Sequence, residues 1–145
     1  METLRQLWNE SGTTLGGWVS VPSSVTAEAV ARAGFDYVCI DAQHGAVEYS
    51  DCVSMIQAVL LGGGRPIVRV PWNEPGIIGK MLDAGAQGVI IPMVNTVVEA
   101  EAAVRACRYA PEGARSSGPT LVGPRTDRPY FEWAKDNVVC IPMIE

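Results

Sequence analysis

Short, almost wholly apolar runs alternate along this chain with longer segments whose apolar residues recur every three or four positions. The first pattern predicts strands buried on both faces, and the second predicts helices with one buried face. An opening helix is expected over Leu4–Trp8 and a strand over Thr14–Ser20, weakened by its glycines. A helix follows over Ser24–Gly34, with Ser24 or Thr26 as its cap and Gly34 as its stop. Asp36–Asp41 reads as the second strand, residues 48–64 as a helix stopped by glycines, and Pro66–Val70 as the third strand. Glu74–Gly85 is helical with Pro75 in its first turn. Gly88–Val94 is the fourth strand, and Thr96–Ala110 is a helix opened by a capping box of Thr96 and Glu99. After a long Gly- and Pro-rich loop over 111–129, one more helix (130–137) leads into a fifth strand, Val138–Glu145.

Apolar strands separated by helices specify an α/β fold with a parallel sheet covered by helices. Two closures fit the pattern: an open doubly wound sheet, or part of a (β/α)8 barrel. No GxGxxG follows the first strand, which removes the usual support for a dinucleotide fold.

A length of 145 residues fits one domain, and 48% hydrophobic with 19% charged residues is a globular composition. The net charge of −5, with no cluster of Lys and Arg, argues against a nucleic-acid partner. Cys39, Cys52, Cys107 and Cys140 lack CxxC spacing, so buried, reduced thiols are expected in place of a zinc site. No signal peptide is expected at the N-terminus, and no run approaches the roughly 18 apolar residues of a membrane span. A cytoplasmic protein is the expectation.

The polar residues at the strand exits change the picture most. Asp41, Gln43 and His44 follow the second strand, Arg69 lies near the end of the third, Asn95 follows the fourth and Glu145 ends the fifth. In parallel α/β folds the carboxyl ends of the strands share one face, which carries the chemistry. These groups therefore converge, although convergence alone names no reaction. His44, the single histidine of the chain, reads either as a hydrogen-bonded structural residue or as a group titrating near neutrality. Arg69 next to a buried strand needs an acceptor, from protein or ligand. Asp83 also reads as a polar residue of a last helical turn, and Glu145 as a solvated end.

The stretches "FDYVCIDAQHG", "PIVRVPWNEPGIIGKMLDAGAQGVIIPMV", "RYAPEGARSSGP" and "VVCIPMIE" together resemble the HpcH/HpaI aldolase family, the metal-dependent class II pyruvate aldolases. They occur in family order over nearly all the chain. The resemblance implies the barrel closure and reversible cleavage of a 4-hydroxy-2-oxo acid to pyruvate and an aldehyde. Pyruvate would bind a divalent ion (Mg²⁺, Mn²⁺ or Co²⁺), which stabilises its enolate. Glu145 matches a carboxylate ligand of that ion, and His44 the residue that moves the aldol proton. Asp83 matches the acidic partner orienting the histidine, and Arg69 the arginine at the keto oxygen. Asp41 and Gln43 would touch substrate or the waters of the metal.

Gln43 stands where many members have Glu, and Met143 where some have Gln, which leaves the aldehyde open. Family members run about a hundred residues longer, so residues 1–145 are expected to be the N-terminal portion of a barrel, with about five of its eight strands. A second carboxylate ligand is then missing. Two other readings remain: a non-catalytic half-barrel module, and a lyase acting on a CoA thioester or citrate-like substrate. The resemblance also implies a homo-oligomer, often a hexamer, with the long loop facing a neighbour.

Overall fold

A computed structural model describes residues 2–10 and 12–145. The chain runs α1 (Leu4–Glu10), β1 (Gly16–Val19), α2 (Ser24–Arg32), β2 (Tyr37–Asp41), α3 (Tyr49–Leu61), β3 (Pro66–Arg69), α4 (Pro75–Ala84), β4 (Gly88–Ile91), α5 (Val97–Cys107), a 3-10 turn (Gly123–Arg125), α6 (Tyr130–Asn137) and β5 (Val139–Pro142). All neighbouring strands pair in parallel, in the order β1-β2-β3-β4-β5. A doubly wound sheet reverses its strand order partway across. This order never reverses, and it is the order of a (β/α) barrel wall.

Alternation along the strands divides the core. Val38, Ile40, Val68, Val89 and Ile91 face the helices and form the larger cluster with Met55, Ile56, Ile78, Met81 and Leu82. The opposite, concave face carries Cys39, Ile67, Ile90 and Val139, packed with Leu4 of α1. Leu4 is fully buried, and its N–H donates to Gln87 Oε1 at 3.1 Å. Helix α1 thus plugs the end of the sheet where the strands begin. Each buried aliphatic side chain contributes about 1.5–3 kcal/mol of transfer free energy.

Helix boundaries follow local chemistry. The capping box expected at Thr96 and Glu99 is present, and Pro75 opens α4 behind a Glu74 side chain that accepts from Gly76 N and Ile77 N. Gly85 ends α4 at φ 115°, a conformation that L side chains rarely adopt. The cap of α2 differs from expectation. Ser23, not Ser24 or Thr26, accepts from Thr26 N, because the extended residue before the helix is the one able to turn back. Strands β4 and β5 are shorter than the apolar runs suggest. Pro92 and Pro142 carry no N–H for the ladder, and Met93 takes φ 57°.

Candidate active site

The strand register places Asp41 directly beside Arg69 at the carboxyl ends of β2 and β3. Arg69 Nε donates to Asp41 Oδ1 at 2.9 Å and Nη2 to Oδ2 at 2.5 Å, a two-pronged ion pair. Asp41 is 3% exposed. Trp18, at the end of β1, completes the group: its Nε1 donates to Asp41 Oδ2 at 3.3 Å, and its ring centroid lies 5.1 Å from the Arg69 guanidinium. Burial opposes ionisation of Asp41. Even so, hydrogen bonds from Arg69, the His44 N–H, Trp18 and the Gln43 N–H hold its carboxyl well below the ordinary carboxylate range. The hydrogen bond to Asp41 in turn raises the Arg69 pKa against the opposing effect of burial, and Glu145 adds a smaller attraction.

Asp41 also shapes the segment that follows it. Its Oδ1 accepts from Gln43 N at 3.1 Å and His44 N at 3.2 Å, so the carboxylate folds the turn carrying His44. The His44 side chain is exposed. Gln43 Oε1 is buried without a hydrogen-bond partner. Gly45 passes so close behind this turn that an added Cβ would lie 2.2 Å from Asp41 O and 2.9 Å from Ser20 O. Gly45→Ala is therefore expected to displace the turn and cost about 1–3 kcal/mol, as overpacking does. A lowered denaturation midpoint with shifted His44 ring resonances would register it.

Glu145 reaches the same end of the sheet from β5. Its N–H donates to Asn95 Oδ1 at 2.8 Å, and Asn95 N–H donates to Glu99 Oε2 at 2.9 Å. The exit of β4 and the α5 cap thereby hold Glu145, which has the same parity as Ile141 and Met143 on the concave face. Trp18, Asp41, Gln43, His44, Arg69 and Glu145 are gathered at one mouth.

Asp83 is not among them. It lies one residue before the end of α4, and the chain then turns so that Gln87 N donates to Pro66 O at the start of β3. Asp83 thus sits where the strands begin, and His44 sits where they end. The expected Asp83–His44 pairing does not occur within this chain, because a helix returning between parallel strands puts its last turn at the far end of the sheet. Asp83 Oδ1 instead accepts from Arg115 Nη2 at 2.6 Å. The Arg115 guanidinium stacks on Tyr109 (4.6 Å) and Tyr130 (5.3 Å), which pins the long loop beneath α4.

The four cysteines are free thiols. Burial pushes Cys39 and Cys52 up to about 12, so neither is a nucleophile at neutral pH. Among the described residues no group of three His, Cys, Asp or Glu is placed to hold a metal ion, and no helix is long and apolar enough to cross a membrane. Of the donors at the mouth, Asp41 is committed to Arg69, leaving Glu145 as the free carboxylate.

Reading the strand exits overlooked Trp18. The same rule applied to β1 would have found it, as a large aromatic at a strand end next to two glycines.

A family model described as HpcH/HpaI aldolase/citrate lyase matches residues 14–145. A hydroxypyruvate/pyruvate aldolase of Rhizorhabdus wittichii is 43% identical over 145 residues, covering 100% of this chain and 58% of that protein. A 4-hydroxy-2-oxo-heptane-1,7-dioate aldolase of Escherichia coli is 37% identical over 134 residues, 90% of this chain and 51% of that protein. A crystal structure of a family protein from Burkholderia cenocepacia superimposes with TM-score 0.86 at 33% identity, over 98% of this chain and 59% of the other. The chain spans about half the length of the curated relatives it matches.

Proposed function

The chain belongs to the HpcH/HpaI aldolase/citrate lyase family, and we propose that it supplies the first five strands of an aldolase that reversibly cleaves a 4-hydroxy-2-oxo acid to pyruvate and an aldehyde. The observation that carries this reading is the convergence of His44, Arg69 and Glu145 at the carboxyl ends of β2, β3 and β5. Aldol cleavage needs a group to take the proton of the 4-hydroxyl and positive charge for the oxygen that becomes the enolate. His44, exposed on a turn fixed by Asp41, is offered as the proton carrier. Arg69 uses Nε and one Nη2 hydrogen on Asp41, so its other N–H groups are free to meet the oxygen of pyruvate. Gln43 Oε1 is buried and without a partner, and turning its amide toward the mouth would let it accept from a substrate hydroxyl.

The residues of this chain alone do not fit a cation cage. A magnesium-sized ion asks for about six oxygens, and Glu145 offers one carboxylate. A divalent ion is thus assigned to Glu145 together with ligands from outside these residues, and no proton transfer above runs through it. An orienting role for Asp83 on His44 would cross a boundary between two copies of the chain, in keeping with a homo-oligomer.

Deuterium incorporation into the pyruvate methyl group, followed by NMR with Mg²⁺ or Mn²⁺ and with a chelator, tests the reading. Incorporation that needs the ion is expected. Incorporation unchanged by chelator, or none with the ion present in protein that also carries the outside ligands, overturns it. The family model also embraces citrate lyases, so release of acetyl groups from a citrate-like substrate or a CoA thioester is the second reading, checked in the same tube.

A further inference from the structure

We infer that Trp18 is a positioning residue that locks the Arg69 guanidinium in place at the mouth of the sheet through the ring beneath it and the indole N–H shared with its partner, Asp41. Two observations meet at this side chain. Its Nε1 donates to the same Asp41 oxygen, Oδ2, that receives Arg69 Nη2. Its ring face lies 5.1 Å from the Arg69 Cζ, within the range of a cation–π contact. The indole thus touches both members of the ion pair.

The geometry divides the work. Asp41 fixes the Nε edge of the guanidinium, and the indole closes one of its flat faces. Without the ring, that face opens to water and the fork can swing about the Arg69 side-chain bonds while still touching one Asp41 oxygen. Without the indole N–H, Asp41 Oδ2 keeps only Arg69, and the carboxylate is held against swivelling by the Gln43 and His44 N–H groups on Oδ1 alone. Arg69 would then meet a bound carbonyl oxygen in several orientations instead of one, and misplacement of this kind is costly for catalysis. The effect on turnover rests on the aldol reading above; the effect on Arg69 itself does not.

The test uses Trp18→Phe, which keeps a ring but removes the donor, and Trp18→Ala, which removes both. Hydrogen exchange at the Arg69 Nε–H is read by NMR, with the Arg65 Nε–H as an internal reference. Arg65 flanks the other end of the same strand and donates from Nε to Glu2 O at 2.8 Å. Exchange at Arg69 is expected to accelerate about tenfold in Trp18→Ala and by less in Trp18→Phe, while Arg65 is unchanged. Equal acceleration at both arginines would mean general loosening of the fold, and no change at Arg69 would mean that Trp18 does not hold it. Either result overturns the inference, and the Phe variant decides it if the Ala variant does not fold.

The kinetic arm follows pyruvate methyl exchange, where Trp18→Phe is expected to lower kcat with KM nearly unchanged. A rise in KM alone would assign the ring to simple binding and overturn the positioning role. Absence of exchange in the wild type would count against the aldol reading, and the Arg69 measurement would still decide the role of Trp18.

Discussion

Replacing Asp41 with Ala is expected to destabilise the fold by about 3 kcal/mol, near the lower end of the cost of stranding one member of a buried ion pair. The lower end applies because the Arg69 side chain keeps 15% of its exposure, against 4% for Asp41. The loss has several parts. Arg69 loses its acceptor, Trp18 Nε1 loses its own, and the N–H groups of Gln43 and His44 lose the oxygen that folds their turn. Asp41→Asn should be milder for the turn, since an amide oxygen still accepts, but its NH₂ then confronts the guanidinium. The two variants differ in pH behaviour from the wild type. The Asp41 pKa is depressed in the folded state, so its stabilisation is complete above the unfolded carboxylate pKa of about 3.9. It is lost as pH falls toward the folded value. Urea midpoints at neutral pH and in acid should therefore converge between wild type and Asp41→Asn as the pH drops. A gap that stays constant would mean that the charge of Asp41 is not what stabilises the fold.

His44→Ala is expected to leave stability almost untouched and, on the aldol reading proposed above, to reduce cleavage by about 10²–10⁴-fold, the usual contribution of a positioned acid or base. The first half follows from exposure: the ring is in solvent, and Asp41 holds the backbone of residue 44, not its side chain. Truncation therefore removes no core contact and leaves no buried group unpaired. The second half follows from the lack of another histidine to take over. Divalent-ion binding should persist in this variant, because no proposed ligand is lost. Turnover and metal binding measured on one preparation check both halves, and wild-type turnover in His44→Ala would remove the proton-carrier role.

The strands and helices were legible because each carries its own local signal. The Thr96–Glu99 box, the Pro75 start and the Gly34 and Gly85 stops all act within one helical turn, so neighbouring residues suffice to read them. The ends of β4 and β5 were overestimated because Ile90 and Val94, or Ile141 and Ile144, look alike as apolar residues, whereas Pro92 and Pro142 decide where regular pairing stops. Arg69, next to a buried strand, needs an acceptor, and it has one. That the acceptor is Asp41 depends on register between two strands 28 positions apart, which no local pattern encodes. Asp83 marks a different limit. Within this chain the direction of α4 carries it to the end of the sheet opposite His44, where Arg115 meets it, and an orienting role on the His44 of a neighbouring copy is a relation between chains that no local pattern encodes. Arg115 itself sat in a loop whose composition gave no hint that its guanidinium would be buried between two tyrosines.

The unbroken β1-to-β5 order has a consequence for how the protein is made. Each strand lies against the one synthesised just before it, so as the chain leaves the ribosome the partner it needs is already there. A sheet with reversed order must keep an early edge unpaired until a much later strand emerges, and unpaired edges are the sites of aggregation. Here each newly added strand covers the inner edge of the one before it, so that of the early edges only the outer edge of β1 waits for a late partner, and Asp41 can await Arg69 for the time it takes to translate one helix and one strand.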